Sequence, residues 1–325
     1  MTTPDERPDE TPGRRPRYAY LGPAGTFTEV ALRQVVGPED AEYLPQVDVV
    51  SAIEAVRHGE ADYAVVAIEN SVEGGVTAVL DTLATGEPLV LLGEMLVPVS
   101  FVLAARPGVA MGDIRRISAH PHAWAQCRRW LHTNLPGVVH VPATSNTAPA
   151  ALLAGSREDL PFDAALVPPA ALEHYRLEAL ATGVADSDTA VTRFVVVGHP
   201  GHVPPPTGAD KTTLVVHLPS NNAGALLEML EQFSTRGVNL SRIESRPIGD
   251  ALGRYSFSID VEGHIAEERV AEALMGLHRV CPHVRYLGSY PRVDDPHGGV
   301  RVGTYDADFQ SARAWVRALR EGHAT

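Results

Sequence analysis

Tyr63-Ala-Val-Val-Ala-Ile68 runs into Glu69-Asn70-Ser71 and then Gly74-Gly75, after which Val76 to Leu83 is apolar at helical spacing. A short apolar run, a polar turn and a helix make one strand–helix unit, and the chain repeats that unit as far as Val197. Upstream, Tyr18 to Leu21 reads as a strand and Gly22-Pro23-Ala24-Gly25-Thr26-Phe27 as the turn after it. Thr26 with Glu29 forms a capping-box pattern that opens a helix to about Val36. Asp48 to His58 reads as a helix stopped by Gly59. Downstream, Leu96 to Ala104 is an apolar run broken by Pro98, and Ile114 to Ala119 leads into His120-Pro121. Val138 to Val141 precedes the polar turn Thr144-Ser145-Asn146-Thr147 and an Ala-rich helix to Gly155, and Ala164 to Val167 is one more strand. This alternation predicts α/β architecture with mainly parallel sheets. Such sheets bind ligands outside the carboxyl ends of their strands, which makes Glu69-Asn70-Ser71 a site wall or, failing that, an ordinary capped turn.

Composition narrows the function. At 325 residues the chain has room for two domains. A net charge of -13 with no long basic run argues against general nucleic-acid binding. The stretch 1–16 is polar and Pro-rich, so it reads as a disordered tail and neither a signal peptide nor a membrane anchor. Cys127 and Cys281 lie far apart and form no disulfide framework, which points to a reducing, cytoplasmic setting. Lys211 is the only lysine, so Schiff-base or pyridoxal phosphate chemistry before the linker has no amine to use. His120 and His122 straddle a strand–helix junction with no third ligand at a known spacing, so no metal is expected.

The stretch Asp186-Ser-Asp-Thr-Ala-Val-Thr-Arg-Phe-Val-Val-Val197 carries the clearest chemistry. Phe194 to Val197 reads as a buried strand, and just before it stand a hydroxyl, Thr192, and a guanidinium fork, Arg193. The turn at Gly25 and Thr26 adds free amides at a helix start, a weak phosphate signal but a plausible carboxylate cradle. Beyond a Pro-rich linker at 199–210 the pattern changes. Strands at Thr212–Leu218, Val238–Glu244, Tyr255–Val261 and Val284–Ser289, with helices at Gly224–Arg236 and Ala266–His278, make a βαββαβ, ferredoxin-like unit. A last helix, Ala307–Leu319, places Phe309, Ala312, Trp315 and Leu319 on one face.

Taken in order, Gly22-Pro-Ala-Gly-Thr-Phe27, Glu69-Asn70-Ser71, His120-Pro121 with Gln126, and Thr192-Arg193-Phe194 resemble the prephenate dehydratases. Gly224-Ala225-Leu226 and Glu244-Ser245-Arg246-Pro247 resemble the ACT regulatory domain that those enzymes carry. The resemblance spans roughly Arg17 to Tyr290. It implies a catalytic domain at 17–198, a linker at 199–210, an ACT domain at 211–290 and a tail at 291–325. The catalytic domain would be two-lobed, like a periplasmic-binding-protein fold, with crossings near Val97 and Gly183. Prephenate in the cleft would lose carbon dioxide and water to give phenylpyruvate for phenylalanine synthesis. Thr192 would protonate the departing hydroxyl. Arg193, with amides around Gly25 and Thr26, would hold carboxylates. Asn70, Ser71 and Gln126 would orient the substrate, and Glu69, Phe194, Thr144 and Ser145 would line its site. Because the product ring is aromatic, an acid and a fixed geometry suffice, and no cofactor is implied.

Two positions depart from the family pattern: Ala119 stands where a Ser usually precedes His-Pro, and Ala190 where an Asn usually lies two places before the threonine. A prephenate decarboxylase-like reaction, an arogenate dehydratase, or a non-catalytic amino-acid sensor are the alternatives; retention of Thr192 favours the dehydratase. The resemblance further implies phenylalanine as effector at Gly224, Ala225, Leu226, Glu244 and Ser245. It also implies a homodimer or homotetramer paired through Leu240, Ile243 and Tyr255–Val261.

Overall fold

A computed structural model describes residues 14–155, 159–201, 203–248, 255–294 and 299–323. The chain divides into two compact units, one made of residues up to Glu73 with Val97–Phe194, the other of Gly74–Leu96 with Val195 onward.

In the first unit, β1 (Arg17–Leu21), α1 (Phe27–Val35), β2 (Glu42–Gln46), α2 (Val49–Arg57) and β3 (Tyr63–Asn70) follow the strand–helix alternation. β1 lies between β2 and β3, and both pairings are parallel. Each helix starts on a side-chain cap: Thr26 Oγ1 accepts from the Glu29 amide, and Asp48 from the Ser51 amide. The apolar stripes Ala31–Leu32 and Ala52, Ile53, Ala55, Val56 are buried, which is what holds these short helices to the sheet. β2 was not evident in the sequence, since only its register against β1 makes the polar run Glu42–Gln46 a strand. Pro45 is tolerable there because β2 is an edge.

The chain continues through β4 (Gly74–Gly75), α3 (Thr77–Ala84) and β5 (Val90–Pro98), then enters a second sheet between Pro98 and Val102. That sheet contains β6 (Val102–Ala105), β7 (Arg116–Ala119), β8 (Val139–Pro142), β9 (Ala164–Val167) and β10 (Glu178–Thr182). It is ordered β10-β6-β9-β7-β8, with β7 parallel to β8 and β9, and β6 antiparallel to β9 and β10. Helices α4 (Pro121–Gln126), α5 (Arg128–Asn134), α6 (Ala148–Gly155) and α7 (Ala171–His174) connect these strands. Alternation along β6 and β9 feeds two cores: Leu103, Ala105 and Leu166 face one cluster, Val102, Ala104, Ala165 and Val167 the other. The chain leaves after Thr182 and returns as β11 (Val191–Gly198), whose first residues pair with β3. Two α/β lobes with two crossings match the expected class, but the second sheet is mixed, two of its pairings being parallel and two antiparallel.

In the second unit, β12 (Asp210–His217), α8 (Ala225–Ser234), β13 (Leu240–Pro247), β14 (Tyr255–Glu262), α9 (Glu268–Val280) and β15 (His283–Pro291) give the βαββαβ order. The sheet runs β13-β14-β12-β15 and is antiparallel throughout. Leu214, Val216, Phe257, Ile259 and Val261 face α8 and α9 through Met229, Phe233, Val270, Ala273 and Leu277. The opposite face is polar and buried. There Asp260 accepts from Thr213 at 2.7 Å and from Arg242 at 2.8 Å. Because β14 is interior and its apolar residues face its own helices, Tyr255–Val261 offers no free pairing edge, which corrects that part of the expected seam. β13 is an edge, and Ile243 on it is exposed.

The last helix, α10 (Asp306–Arg320), forms where expected, but Trp315 and Leu319 remain largely exposed; polar contacts tie it to α9, the Glu268 amide donating to Asp306 at 2.8 Å and Arg313 pairing with Glu268 and Glu272. Of the expected tail, residues 1–13 lie outside the described residues. Arg14 pairs with Asp62, and the Pro16 carbonyl accepts from the Glu42 amide.

Candidate active site

The residues singled out from the sequence stand at strand ends of the first unit, and hydrogen bonds bring the end of β3 and the start of β11 together. Asn70 closes β3, and its side chain has no freedom of orientation. Its Oδ1 accepts from the amides of Val72 (2.9 Å) and Glu73 (3.2 Å), so its amide nitrogen must be the group that faces Thr192. That nitrogen donates to Thr192 Oγ1 at 2.7 Å. Thr192 is therefore the acceptor in this bond and keeps its own proton to give elsewhere. Beside it, Ser71 brackets Val191: the Ser71 amide donates to the Val191 carbonyl (2.9 Å), and Ser71 Oγ accepts from the Val191 amide (3.0 Å). Ser71 thus sets the register between β3 and β11, and β11 begins at Val191, earlier than the apolar run alone indicated.

Starting the strand at Val191 separates two residues that are adjacent in sequence. Successive side chains on a strand point to opposite faces, so Thr192 and Arg193 cannot share one. The Arg193 guanidinium is buried and meets Glu69 at 3.4 Å. Glu69 and Asn70 alternate in the same way on β3, so Glu69 goes with Arg193 and Asn70 with Thr192. Thr192 and Arg193, expected at one ligand, thus leave β11 from opposite faces. Phe194 is buried at 2% exposure.

The turn before α1 also differs from expectation. The Gly25 amide is already taken, donating to the Glu29 carboxylate, and a Cβ at Gly25 would come within 2.7 Å of the Ala171 backbone. Gly25 is needed for close packing at a positive φ of 85°, not for an open cradle. Glu29 is itself buried in a cluster, its Oε1 meeting Arg33 at 2.6 Å and His174 at 3.0 Å. Thr26 is buried with its hydroxyl donating to the Leu21 carbonyl while it caps α1. The amides of Phe27 and Thr28 remain as the donors at this helix start.

In the second lobe, two turns follow the carboxyl ends of the adjacent strands β7 and β8. His120 caps α4, its Nδ1 accepting from the His122 amide, so its other ring nitrogen carries the hydrogen when the ring is neutral. Burial lowers the His120 pKa, reinforced by His122 and His140 and opposed by Glu73, which favours that neutral form. His122 reaches to 3.9 Å from Glu73. Gln126 Oε1 is buried without a hydrogen-bond partner among the described residues, as are Asn146 Oδ1 and Thr147 Oγ1. Ser145 is occupied in accepting from the Ala148 amide, and Thr144 is exposed. Asn146 and Thr147 were missed as site residues although they lie in the same polar turn; only their lack of partners sets them apart from Ser145.

Ala119 and Ala190 belong to one buried apolar cluster with Phe101 and Cys127. Burial, with the nearby Asp186 charge, pushes the Cys127 thiol up to about 12, so it is no nucleophile. Asp186 itself caps α5, accepting from the amides of Arg129 and Trp130.

The positions expected to take an effector also separate by strand alternation. Ser258 opposes Glu244, and Phe257 opposes Ser245, so Ser245 faces the helix side of the sheet and Glu244 the polar side. Gly224, at φ 92°, starts α8 on the helix side with Ala225 and the exposed Leu226. Glu244 instead lies 3.8 Å from Arg242 and against Gly75.

Comparison with known proteins places these features in context. A family model for prephenate dehydratase matches residues 18–202, and one for the ACT domain matches residues 212–279. A prephenate dehydratase of Amycolatopsis methanolica is 47% identical over 311 residues, covering 94% of this chain and 98% of the relative. The solved prephenate dehydratase of Arthrobacter aurescens in complex with L-Phe is 54% identical with a TM-score of 0.89, covering 94% of this chain and 99% of that one. GqqA, described as a novel type of quorum-quenching acylase, is 31% identical with a TM-score of 0.72, covering 85% and 97%.

Proposed function

The chain belongs to the prephenate dehydratase family, and on that premise we propose that Thr192 is the acid which protonates the leaving hydroxyl of prephenate. In the reaction the bond from the ring to its carboxylate breaks, and carbon dioxide leaves. The electron pair enters the ring and expels the hydroxyl on the opposite carbon, which takes the Thr192 proton and departs as water. Thr192 recovers a proton from solvent after phenylpyruvate leaves. Aromatisation supplies the driving force, so the protein needs only to place a proton at one end and hold the geometry at the other. The observation that carries this reading is the fixed Asn70 amide, which occupies the Thr192 oxygen as acceptor and leaves its hydrogen for the substrate.

Gln126, Asn146 and Thr147 are the polar groups of the second lobe assigned to the substrate, and the Phe27 and Thr28 amides are assigned to a carboxylate. Arg193 with Glu69 positions β11 from its other face. The second domain binds phenylalanine through the Gly224–Leu226 helix start and Ser245, and feedback inhibition follows; the Arthrobacter relative solved with L-Phe supports this. The domain limits are 17–198, 199–210, 211–290 and 291–325. The chain assembles as a homodimer or larger homo-oligomer through the exposed β13 edge. Two free, buried cysteines suit a cytoplasmic enzyme, and no helix among the described residues is long and apolar enough to cross a membrane.

One assay tests the core of this. Prephenate and arogenate are supplied separately, the product is identified by mass, and phenylalanine is titrated with light scattering at assay concentration. Phenylpyruvate from prephenate, suppressed by phenylalanine, is the expected result. A product that keeps the hydroxyl would end the dehydratase reading, and a monomer that still responds to phenylalanine would end the seam.

A further inference from the structure

The prephenate dehydratase model covers Gly74–Leu96, yet by its contacts this segment belongs to the unit containing the regulatory sheet. Three strands of that sheet grip it along its length. From β13, the Arg246 fork holds Asp81 of α3 with two bonds of 3.1 Å, and Glu244 sits so close to Gly75 that a Cβ there would collide with its carboxylate. From β15, the Arg285 guanidinium donates to the carbonyls of Leu83 and Thr85 at 3.0 Å and of Gly86 at 2.7 Å. Leu83 and the C-cap Thr85 are acceptors at the C-terminus of α3, and Gly86 follows the helix. Gly288 on the same strand lies against the Leu91 backbone of β5, where no side chain would fit. From β12, Lys211 holds both Glu94 oxygens at 3.0 Å, with Glu94 fully buried.

The polar contacts from the sheet run from Gly75 through Asp81 and Gly86 to Glu94. Between α3 and the sheet lies a cavity of about 150 Å³, lined by Leu80, Ala84, Val215, His217, Ser256 and Ser258 among others. Val79, Leu80 and Leu83 of α3 are buried, and the cavity leaves room beside Ala84 on the side that faces Val215, Ser256 and Ser258. Its N-terminal side is joined by the backbone, through Gly74, to the Asn70–Glu73 turn, whose amides fix the Asn70 side chain.

We propose that Gly74–Leu96 is the lever of regulation: held by the effector domain, it carries that domain's state along the backbone to Asn70 and so to the Thr192 proton. This rests on phenylalanine inhibition and on Thr192 as the acid. Arg285 and Ala84 work on the lever alone, since neither is among the residues assigned to substrate or effector.

The test uses the full chain as wild type, Arg285→Gln and Ala84→Leu, the second filling the cavity. For each, kcat and KM are measured with and without phenylalanine, and phenylalanine affinity is measured by calorimetry. Both variants should keep basal activity and phenylalanine affinity within about 3-fold of wild type. The coupling factor, typically about 5–150-fold, should fall toward 1. Should Ala84→Leu fail to fold, Arg285→Gln carries the test unaided. Variants inhibited as strongly as an inhibited wild type would overturn the lever while leaving the regulatory reading intact. Loss of phenylalanine binding in Arg285→Gln would also overturn it, by placing Arg285 at the effector site. A wild type indifferent to phenylalanine would remove both.

Discussion

Replacing Asn70 by Asp exchanges one atom and reverses the hydrogen bond that matters. In the wild type the Asn70 nitrogen donates to Thr192 Oγ1 at 2.7 Å. A carboxylate at the same place can only accept, so the threonine must turn its own proton toward it. Hydrogen bonds to a charged acceptor are worth about 1.5–3 kcal/mol, and Thr192 must give that up before it can protonate the substrate. At 1.36 kcal/mol per tenfold, the expected loss in kcat is about 10–150-fold. Asn70→Ala removes a neutral bond worth about 0.5–1.5 kcal/mol, which amounts to about 2–10-fold. The order is informative because Asn70→Asp preserves the acceptor for the Val72 and Glu73 amides, whereas Asn70→Ala does not. If Asn70 merely shaped the loop, alanine would be the worse substitution. The pH profile adds a second check. Protonating the introduced carboxyl restores a donor to Thr192, so the Asn70→Asp deficit should shrink as pH falls. Thr192→Val sets the floor, about 10²–10⁴-fold down in kcat with little change in KM. An Asn70→Ala enzyme slower than Asn70→Asp, with no recovery on acidification, would refute the donor role of Asn70.

Lys211→Met strands the buried Glu94 carboxylate and should cost about 3–5 kcal/mol, read from the urea midpoint, with Glu94→Leu in the same chain recovering most of it. Burial acts to raise the Asp294 carboxyl, but Arg292 and Lys211 outweigh it and hold its pKa at about 2, below the ordinary 3.8. Its stabilising contribution is thus complete above about pH 4 and lost as pH falls toward 2, and Asp294→Asn should flatten acid unfolding in that window. Neither thiol should react with Ellman's reagent in the folded protein, since burial raises both, and both should react in denaturant.

What the sequence disclosed and what it hid divide along a physical line. Apolar periodicity found most of the strands and helices, and Ala164–Val167 to the residue, because a buried run reports its own burial. β2 escaped because its register, not its composition, makes it a strand. Thr192-Arg193 and Glu244-Ser245 were each read as a unit because adjacency in sequence suggests adjacency in space. Pleating puts the two members of each pair on opposite faces, and only the strand limits reveal that. Gly25 looked available for a ligand since its amide's partner, Glu29, is a side chain whose rotamer the sequence does not encode. The allegiance of Gly74–Leu96 is less legible still. It depends on Arg246, Arg285 and Lys211, all more than a hundred residues away, and no local pattern announces such contacts.

The solitary lysine gives the molecule an unusual chemical signature. Its side chain is 4% exposed and its ammonium is clasped by Glu94 and Asp294, so the described native fold presents acylating reagents with no accessible ε-amine. Succinimidyl esters and acetylating enzymes can reach Lys211 only when the structure around it opens. The rate at which this one position is acylated is therefore a clock for opening of the regulatory sheet, set by local unfolding rather than by reagent chemistry. Since Lys211 grips the lever, phenylalanine should slow or speed that clock whenever it tightens or loosens the hold on Glu94. A single mass increment on one peptide would then follow, in the intact enzyme and in real time, a motion that has no spectroscopic handle of its own.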